Sequence, residues 1–336
     1  MKAWVERLLT SLWYGGNPLA WALWPLSLAY RGAAAGRSFA YARGWLPTAA
    51  LPVPVIVIGN LTVGGTGKTP LVIWLARALT ERGTAVGIVT RGYGGRASQW
   101  PQLVDADSDP RLVGDEAVLL ARRTGCPVAA GPDRVAAARQ LLDRHRVDAL
   151  LADDGLQHLA LGRDMEIAVV DGRRGLGNGL CLPAGPLREP PSRLRGVDAI
   201  VVNGGEWGHA GVFRAELEAQ EAVRVGGQER RPLSAWRGGE VHAAAGIGHP
   251  QRFFALLEDA GLEVIPHALG DHADVTPERL AFTPRLPVLV TEKDAVKLPD
   301  AGDLEVWSVP VELRFAPGHA ERLLALVLRI LRGSDS

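Results

Sequence analysis

Cysteine is nearly missing from this chain: Cys126 and Cys181 are the only two in 336 residues. Neither has a histidine at ligand spacing, so a disulfide framework or a zinc site is not expected, and a reducing compartment fits. Net charge is missing too. The 37 Lys and Arg balance the 37 Asp and Glu, which removes any global pull towards nucleic acid. No apolar run reaches the roughly 20 residues that span a bilayer; residues 18–30 are too short and are broken by Pro25. No small-residue cleavage site follows that stretch, so a removed signal peptide is not expected. Internal repeats and low-complexity tracts are absent. What the chain has is 47% hydrophobic residues, 40 Gly and 23 Pro. That is enough for a sizeable core, many tight turns and two domains.

Five of the ten tryptophans, Trp4, Trp13, Trp21, Trp24 and Trp45, lie in the first fifty residues. There Lys2, Arg7, Arg31, Arg37 and Arg43 face a single acid, Glu6. Aromatics beside arginines suit a segment lying in the headgroup zone of a membrane. Residues 1–50 therefore read as a membrane-associating helical segment rather than a buried helix pair.

The most informative stretch follows. Val53-Pro54-Val55-Ile56-Val57-Ile58 reads as a buried strand, and residues 71–82 carry helical apolar spacing. Between them stands Gly59-Asn60-Leu61-Thr62-Val63-Gly64-Gly65-Thr66-Gly67-Lys68-Thr69-Pro70. Strand, glycine-rich turn, Gly-Lys-Thr and helix together describe a phosphate-binding loop. Glycines let backbone N–H groups close around phosphate oxygens, and the helix N-terminus adds its positive end. Thr62, Gly64, Gly65, Thr66, Gly67, Lys68 and Thr69 are the expected lining of a nucleoside triphosphate site, with the Thr69 hydroxyl on Mg²⁺. Thr62 stands where the strict pattern has glycine, and where membrane-cycling ATPases with a signature lysine would carry it. A dinucleotide fingerprint fits worse, because Lys68, Thr69 and Pro70 occupy the place of its third small residue.

Downstream, strands alternate with helices, which predicts an α/β fold: a parallel P-loop NTPase-type sheet covered by helices on both faces. The expected division is a kinase-type domain over 51–212, a β connector over 213–238 and a smaller α/β lobe over 239–336, closing on an amphipathic helix near 318–331. The apolar strand Ala149-Leu150-Leu151-Ala152 ends in Asp153-Asp154, where a P-loop protein keeps its metal-side carboxylate. Gly114-Asp115-Glu116 opens a helix, and one of its acids could deprotonate an acceptor hydroxyl; spacing alone does not choose between them. Asp271-His272 pairs an acid with a ring it could orient. The rigid Gly/Pro loop 177–190 can present Arg188 to an anion at little entropic cost. Lys293 is followed directly by Asp294, so the guanine-recognition motif is absent.

Taken together, 59–70, Arg91-Gly92-Tyr93-Gly94, Gly114-Asp115-Glu116, Asp153-Asp154-Gly155-Leu156-Gln157-His158, 182–190 and Thr291-Glu292-Lys293-Asp294-Ala295-Val296-Lys297-Leu298 resemble the blocks of the tetraacyldisaccharide 4′-kinase (lipid A 4′-kinase) family, in order. The likeness runs from the tryptophan-rich start to about Leu298. It implies phosphorylation by ATP and Mg²⁺ of the 4′-hydroxyl of a tetraacylated disaccharide 1-phosphate, a step of lipid A biosynthesis. It also implies the cytoplasmic face of a Gram-negative inner membrane and no obligatory protein partner. By that likeness Asp115 is the base, paired with His272, which Asp271 orients, and Lys68 joins them in catalysis. Glu116, Asp153, Asp154 and Thr69 serve the metal, and Arg91, Asn178 and Arg188 meet the lipid. Two positions depart from the family pattern: Leu156 replaces a usual Phe, and Ala273-Asp274-Val275 lacks the further histidine or aromatic often found there. The competing reading is a membrane-associated P-loop ATPase switch that acts on a protein.

Overall fold

The computed structural model describes residues 2–271, 273–298 and 300–333. Eight strands and their helices build the first lobe in chain order. They are β1 (Val55–Gly59), β2 (Val86–Thr90), β3 (Gln102–Val104), β4 (Val128–Ala130), β5 (Ala149–Asp153), β6 (Met165–Asp171), β7 (Ala199–Asn203) and β8 (Phe213–Glu218). Three helices precede them: α1 (Lys2–Tyr14), α2 (Leu19–Ala22) and α3 (Trp24–Ala42). Between the strands lie α4 (Lys68–Thr80), α5 (Pro110–Val113), α6 (Asp115–Thr124) and α7 (Arg134–Arg144). The second lobe holds β9 (Glu221–Arg224), β10 (Arg230–Pro232), β11 (Glu240–Ala245), α8 (Pro250–Asp259), β12 (Glu263–Ala268), α9 (Pro277–Leu280), β13 (Val288–Thr291), α10 (Glu292–Ala295) and β14 (Val306–Val309). The chain then adds β15 (Glu312–Phe315) and α11 (His319–Gly333).

The large sheet runs β15-β8-β7-β6-β1-β5-β2-β4-β3. Strands β8 through β4 in that order are parallel, and both edges, β15 and β3, are antiparallel. Every residue of β1, β2, β5 and β6 is buried, as a parallel sheet covered on both faces requires. Side chains alternate between the two faces. Ile56 and Ile58 pack with Leu71, Leu75 and Leu79 of α4, whereas Val55 and Val57 pack with Ala138 and Leu141 of α7. Burying such a Leu or Ile contributes roughly 1.5–3 kcal/mol each. The second lobe has its own sheet, β10-β9-β14-β13-β11-β12, with β14, β13, β11 and β12 parallel, and its own core around Phe253, Leu257, Leu289 and Trp307.

The division between lobes differs from the expected one. Residues 213–218 are not connector but strand β8 of the large sheet, paired with β7. The last strand and helix also return to the first lobe. Strand β15 pairs with β8, and Leu323, Leu324 and Val327 of α11 join the core that holds Phe213 and Leu71. An amphipathic pattern shows that a helix has an apolar face, but not which sheet covers it.

Candidate active site

Strands β1 and β5 are neighbours, with Ile58 opposite Asp153. That register sets the phosphate loop beside the two acids. Gly67 precedes α4 at φ +94°, and Gly64 holds φ +109°, conformations that favour glycine. A Cβ on Gly67 would lie 1.9 Å from Asn203 Nδ2, and that amide donates to the Thr66 carbonyl at 2.9 Å. No side chain caps α4, so its first N–H groups are available to an anion.

Lys68 Nζ donates to Asn60 Oδ1 at 3.1 Å and stands 3.4 Å from Asp154 Oδ1. The Thr69 hydroxyl donates to Asp153 Oδ2 at 3.2 Å. Asp153 is 1% exposed, and its Oδ1 is buried with no hydrogen-bond partner. Burial, reinforced by the charge of Glu116 and opposed by Lys68, pushes its carboxyl up to about 7. A divalent cation beside that oxygen would supply the missing partner and reverse the shift, so the donor set fits Mg²⁺. Asp154 adopts φ 53°, the one positive φ at a non-glycine among the described residues. Strain of this kind gathers at functional sites. Its carboxylate faces Arg188, at 3.0 and 3.2 Å, as well as Lys68; burial raises its pKa, but these two cations win and the net shift is downward.

Residues Asp115 and Glu116 open α6, close enough for Glu116 to act on Asp153. Asp115 is 4% exposed. Two lysines reach this pair from the second lobe. Lys293 donates to Glu116 Oε1 at 3.0 Å and lies 4.0 Å from Asp115 and 3.9 Å from Asp271, while Lys297 lies 3.4 Å from Asp115. The turn after β11 completes the wall: a Cβ on Gly248 would stand 3.5 Å from Asp271 Oδ2 and 3.9 Å from Gly65 N. A phosphate cradle, a cation-seeking carboxylate and a buried acid thus converge where the lobes meet, as phosphoryl transfer to a second substrate demands.

Comparison with known proteins narrows that chemistry. The model of the family described as tetraacyldisaccharide-1-P 4′-kinase matches residues 19–329. The chain belongs to the tetraacyldisaccharide 4′-kinase family. The tetraacyldisaccharide 4′-kinase of Nitrosococcus oceani is 51% identical over 96% of this chain and 95% of its own. That of Azotobacter vinelandii is 46% identical over 98% and 99%. Among solved structures, LpxK from Aquifex aeolicus in complex with ATP superposes with a TM-score of 0.76 at 30% identity, covering 93% of this chain and 99% of that one. As a member of the 4′-kinase family, the protein is a P-loop kinase.

Several residues singled out in the sequence take other places. Asn178 is tied into the scaffold: its amide donates to the carbonyls of Leu12 and Ala184 and accepts from Leu180 N–H. Thr62 is buried and bonded to Asn60 Nδ2, and it bridges to Leu187. These contacts brace the loop. Asp154 is turned to Lys68 and Arg188. Arg91 is exposed, 6.0 Å over the Tyr93 ring. His272 lies outside the described residues. Sequence reasoning passed over Asn60, Gln157, Asn203 and Arg134. Gln157 bridges Glu189, the Asn60 carbonyl and Arg188. Arg134 is buried, donates to the Asp154 carbonyl at 3.3 Å and is lowered in pKa by burial and by Arg91. The lysines 293 and 297 stood inside a family block but were given no role; their spacing from Asp115 in the chain carries no signal of contact.

Proposed function

We propose that the protein transfers the γ-phosphoryl group of ATP to the 4′-hydroxyl of a tetraacylated glucosamine disaccharide 1-phosphate, giving the 1,4′-bisphosphate of lipid A biosynthesis. The observation that carries this reading is the meeting of the Lys68–Thr69–Asp153 cradle with the buried Asp115 at one inter-lobe site. Backbone N–H groups of 64–67 and Lys68 hold the triphosphate. Thr69 and Asp153, with Glu116 close by, would hold Mg²⁺, which supplies neutralisation of the charge on the phosphates. Asp115 accepts the proton of the sugar hydroxyl as its oxygen bonds to γ-phosphorus, and the bond to the β,γ-bridging oxygen breaks with its electrons leaving on ADP. Asp271, 3.9 Å from Lys293, belongs to the same acid–base group. Arg91, Arg134 and Arg188 offer positive charge to the anionic sugar.

The lipid reaches this site from a membrane surface, the cytoplasmic leaflet of a Gram-negative inner membrane, without a protein partner. Leu19, Trp21, Trp24, Leu26, Leu28, Phe39 and Trp45 are all exposed on α2, α3 and the turn after them, and large apolar side chains gathered in one exposed segment mark an interaction site. No helix among the described residues is long and apolar enough to cross a membrane, so docking is interfacial. Incubation with γ-labelled ATP, Mg²⁺ and detergent-dispersed lipid disaccharide tests the proposal. Label should appear in the lipid; label released only as inorganic phosphate, faster with added protein than with lipid, would instead mark an ATPase switch.

A further inference from the structure

We infer that Lys297 is a positioning residue for phosphoryl transfer: from the second lobe it fixes the carboxylate of Asp115, and the inference rests on Asp115 being the base of the reaction proposed above. The ammonium of Lys297 meets three oxygens at once. It lies 3.4 Å from Asp115 Oδ2 and 3.0 Å from Asp294 Oδ1, and it donates to the Ala273 carbonyl at 3.1 Å. The first belongs to α6 of the nucleotide lobe and the other two to the second lobe. Asp294 is wholly buried, and its other oxygen accepts from Gly246 N–H at 2.8 Å and from the Thr291 hydroxyl at 2.7 Å. Asp294 and the Ala273 carbonyl thus hold the ammonium in place before it meets Asp115, and Gly246 and Thr291 in turn hold Asp294.

The two lysines of this turn do different work. Lys293 is engaged by Glu116 at 3.0 Å and reaches Asp115 and Asp271 only at 4.0 and 3.9 Å. Lys297 takes the second oxygen of Asp115, whose first oxygen accepts the Glu116 N–H at 2.9 Å. With one oxygen tied to its own helix and the other to a cation in the opposite lobe, the carboxylate cannot rotate, and a base must be aimed to within a few tenths of an ångström. Asp294 also ties Lys297 to Gly246, whose turn brings Gly248 beside Gly65 of the phosphate loop. The turn that aims the base therefore also seats the second lobe on the nucleotide cradle, so that chemistry requires the lobes in register.

Steady-state kinetics of Lys297→Met, Lys297→Gln and Lys297→Arg on the full chain with ATP and lipid acceptor test this. Removal of the charge should lower kcat at least ~30-fold while KM for ATP stays within ~3-fold, Arg should return kcat to within ~5-fold of wild type, and Lys297→Met should add less than ~3-fold to Asp115→Asn, because both act on one group. The Gln variant keeps a polar side chain, so it reads the charge even should Met fail to fold. Full kcat in Lys297→Gln, a loss confined to KM for ATP, or full additivity with Asp115→Asn would overturn the inference. Asp115→Ala, assayed alongside, separates the failures: an inactive Asp115→Ala beside a fully active Lys297→Gln sinks only the role of Lys297, whereas a fully active Asp115→Ala sinks the base itself.

Discussion

Gly67 is the residue at which the nucleotide site is least tolerant. It holds a left-handed φ, and the space a side chain would need is filled by Asn203. Gly67→Ala should weaken ATP binding about 5–150-fold, the equivalent of about 1–3 kcal/mol of backbone strain, as read by titration with nucleotide. Lys68→Ala should lower lipid phosphorylation by about 10²–10³-fold, by loss of one preorganised cation, and Asp115→Ala by about 10²–10⁴-fold, by loss of a positioned base. That Lys68 and Thr69 would open a helix beside Asp153 was legible from the sequence, because the arrangement is carried by a local pattern: a strand, a turn and a helix start. Asn203, Gln157, Lys293 and Lys297 were not. Each meets its partner across a long stretch of chain, and a lone Asn or Lys carries no local mark of where the fold will take it. The bonds of Asn178 to Leu12 and Ala184 were equally hidden: a polar residue in a Gly/Pro loop does not show which helix will meet it.

Among the elements, the join between α3 and the Gly/Pro loop depends on one hydroxyl. The buried Ser27 donates to the Cys181 carbonyl at 2.7 Å and accepts the Ala184 N–H at 3.0 Å. Ser27→Ala would strand both groups and should cost about 1–3 kcal/mol, visible as a lower urea midpoint with ATP affinity unchanged. The first turn of α8 carries a pH dependence. Burial, together with Arg174, holds His249 down at about 4 against an ordinary 6.5, although Asp171 pulls the other way. Between those values the unfolded chain binds the proton and the folded one does not, so the contribution is complete above pH 6.5 and is lost as pH falls towards 4. His249→Asn should therefore lose less stability than wild type between pH 7 and pH 4.5 in denaturant titrations, the difference cancelling carboxylates such as Asp153 that titrate with the opposite sign. Strands were readable as apolar runs and helices as periodic ones. The edges of the large sheet and the one-turn helices escaped: β3, β15, α5, α9 and α10 are only three or four residues long, and a charged, alternating strand such as β8 fits a connector as well as it fits a half-covered sheet.

Taken whole, the molecule carries most of its exposed large apolar side chains, among the described residues, on the single segment 19–46. Trp21 and Trp45 are 67% and 72% exposed, and replacing both with Glu should abolish sedimentation with anionic phospholipid vesicles while leaving nucleotide binding intact. The overall architecture, a P-loop sheet with a smaller α/β companion, could be read from the chain, because alternating strand and helix patterns report layers. The path of the last thirty residues could not, because an amphipathic helix does not name its host.

That path has a mechanical result. The second lobe leaves the large sheet through residues 219–220, between β8 and β9, and rejoins it through residues 310–311, between β14 and β15. These two short stems run side by side between paired strands, so the second lobe is tied to the large sheet at two neighbouring points. During synthesis the same arrangement imposes an order. The nucleotide sheet stays unfinished, with β8 unpaired on one side and Phe213 and Ala215 bare, until the ribosome has delivered everything in between.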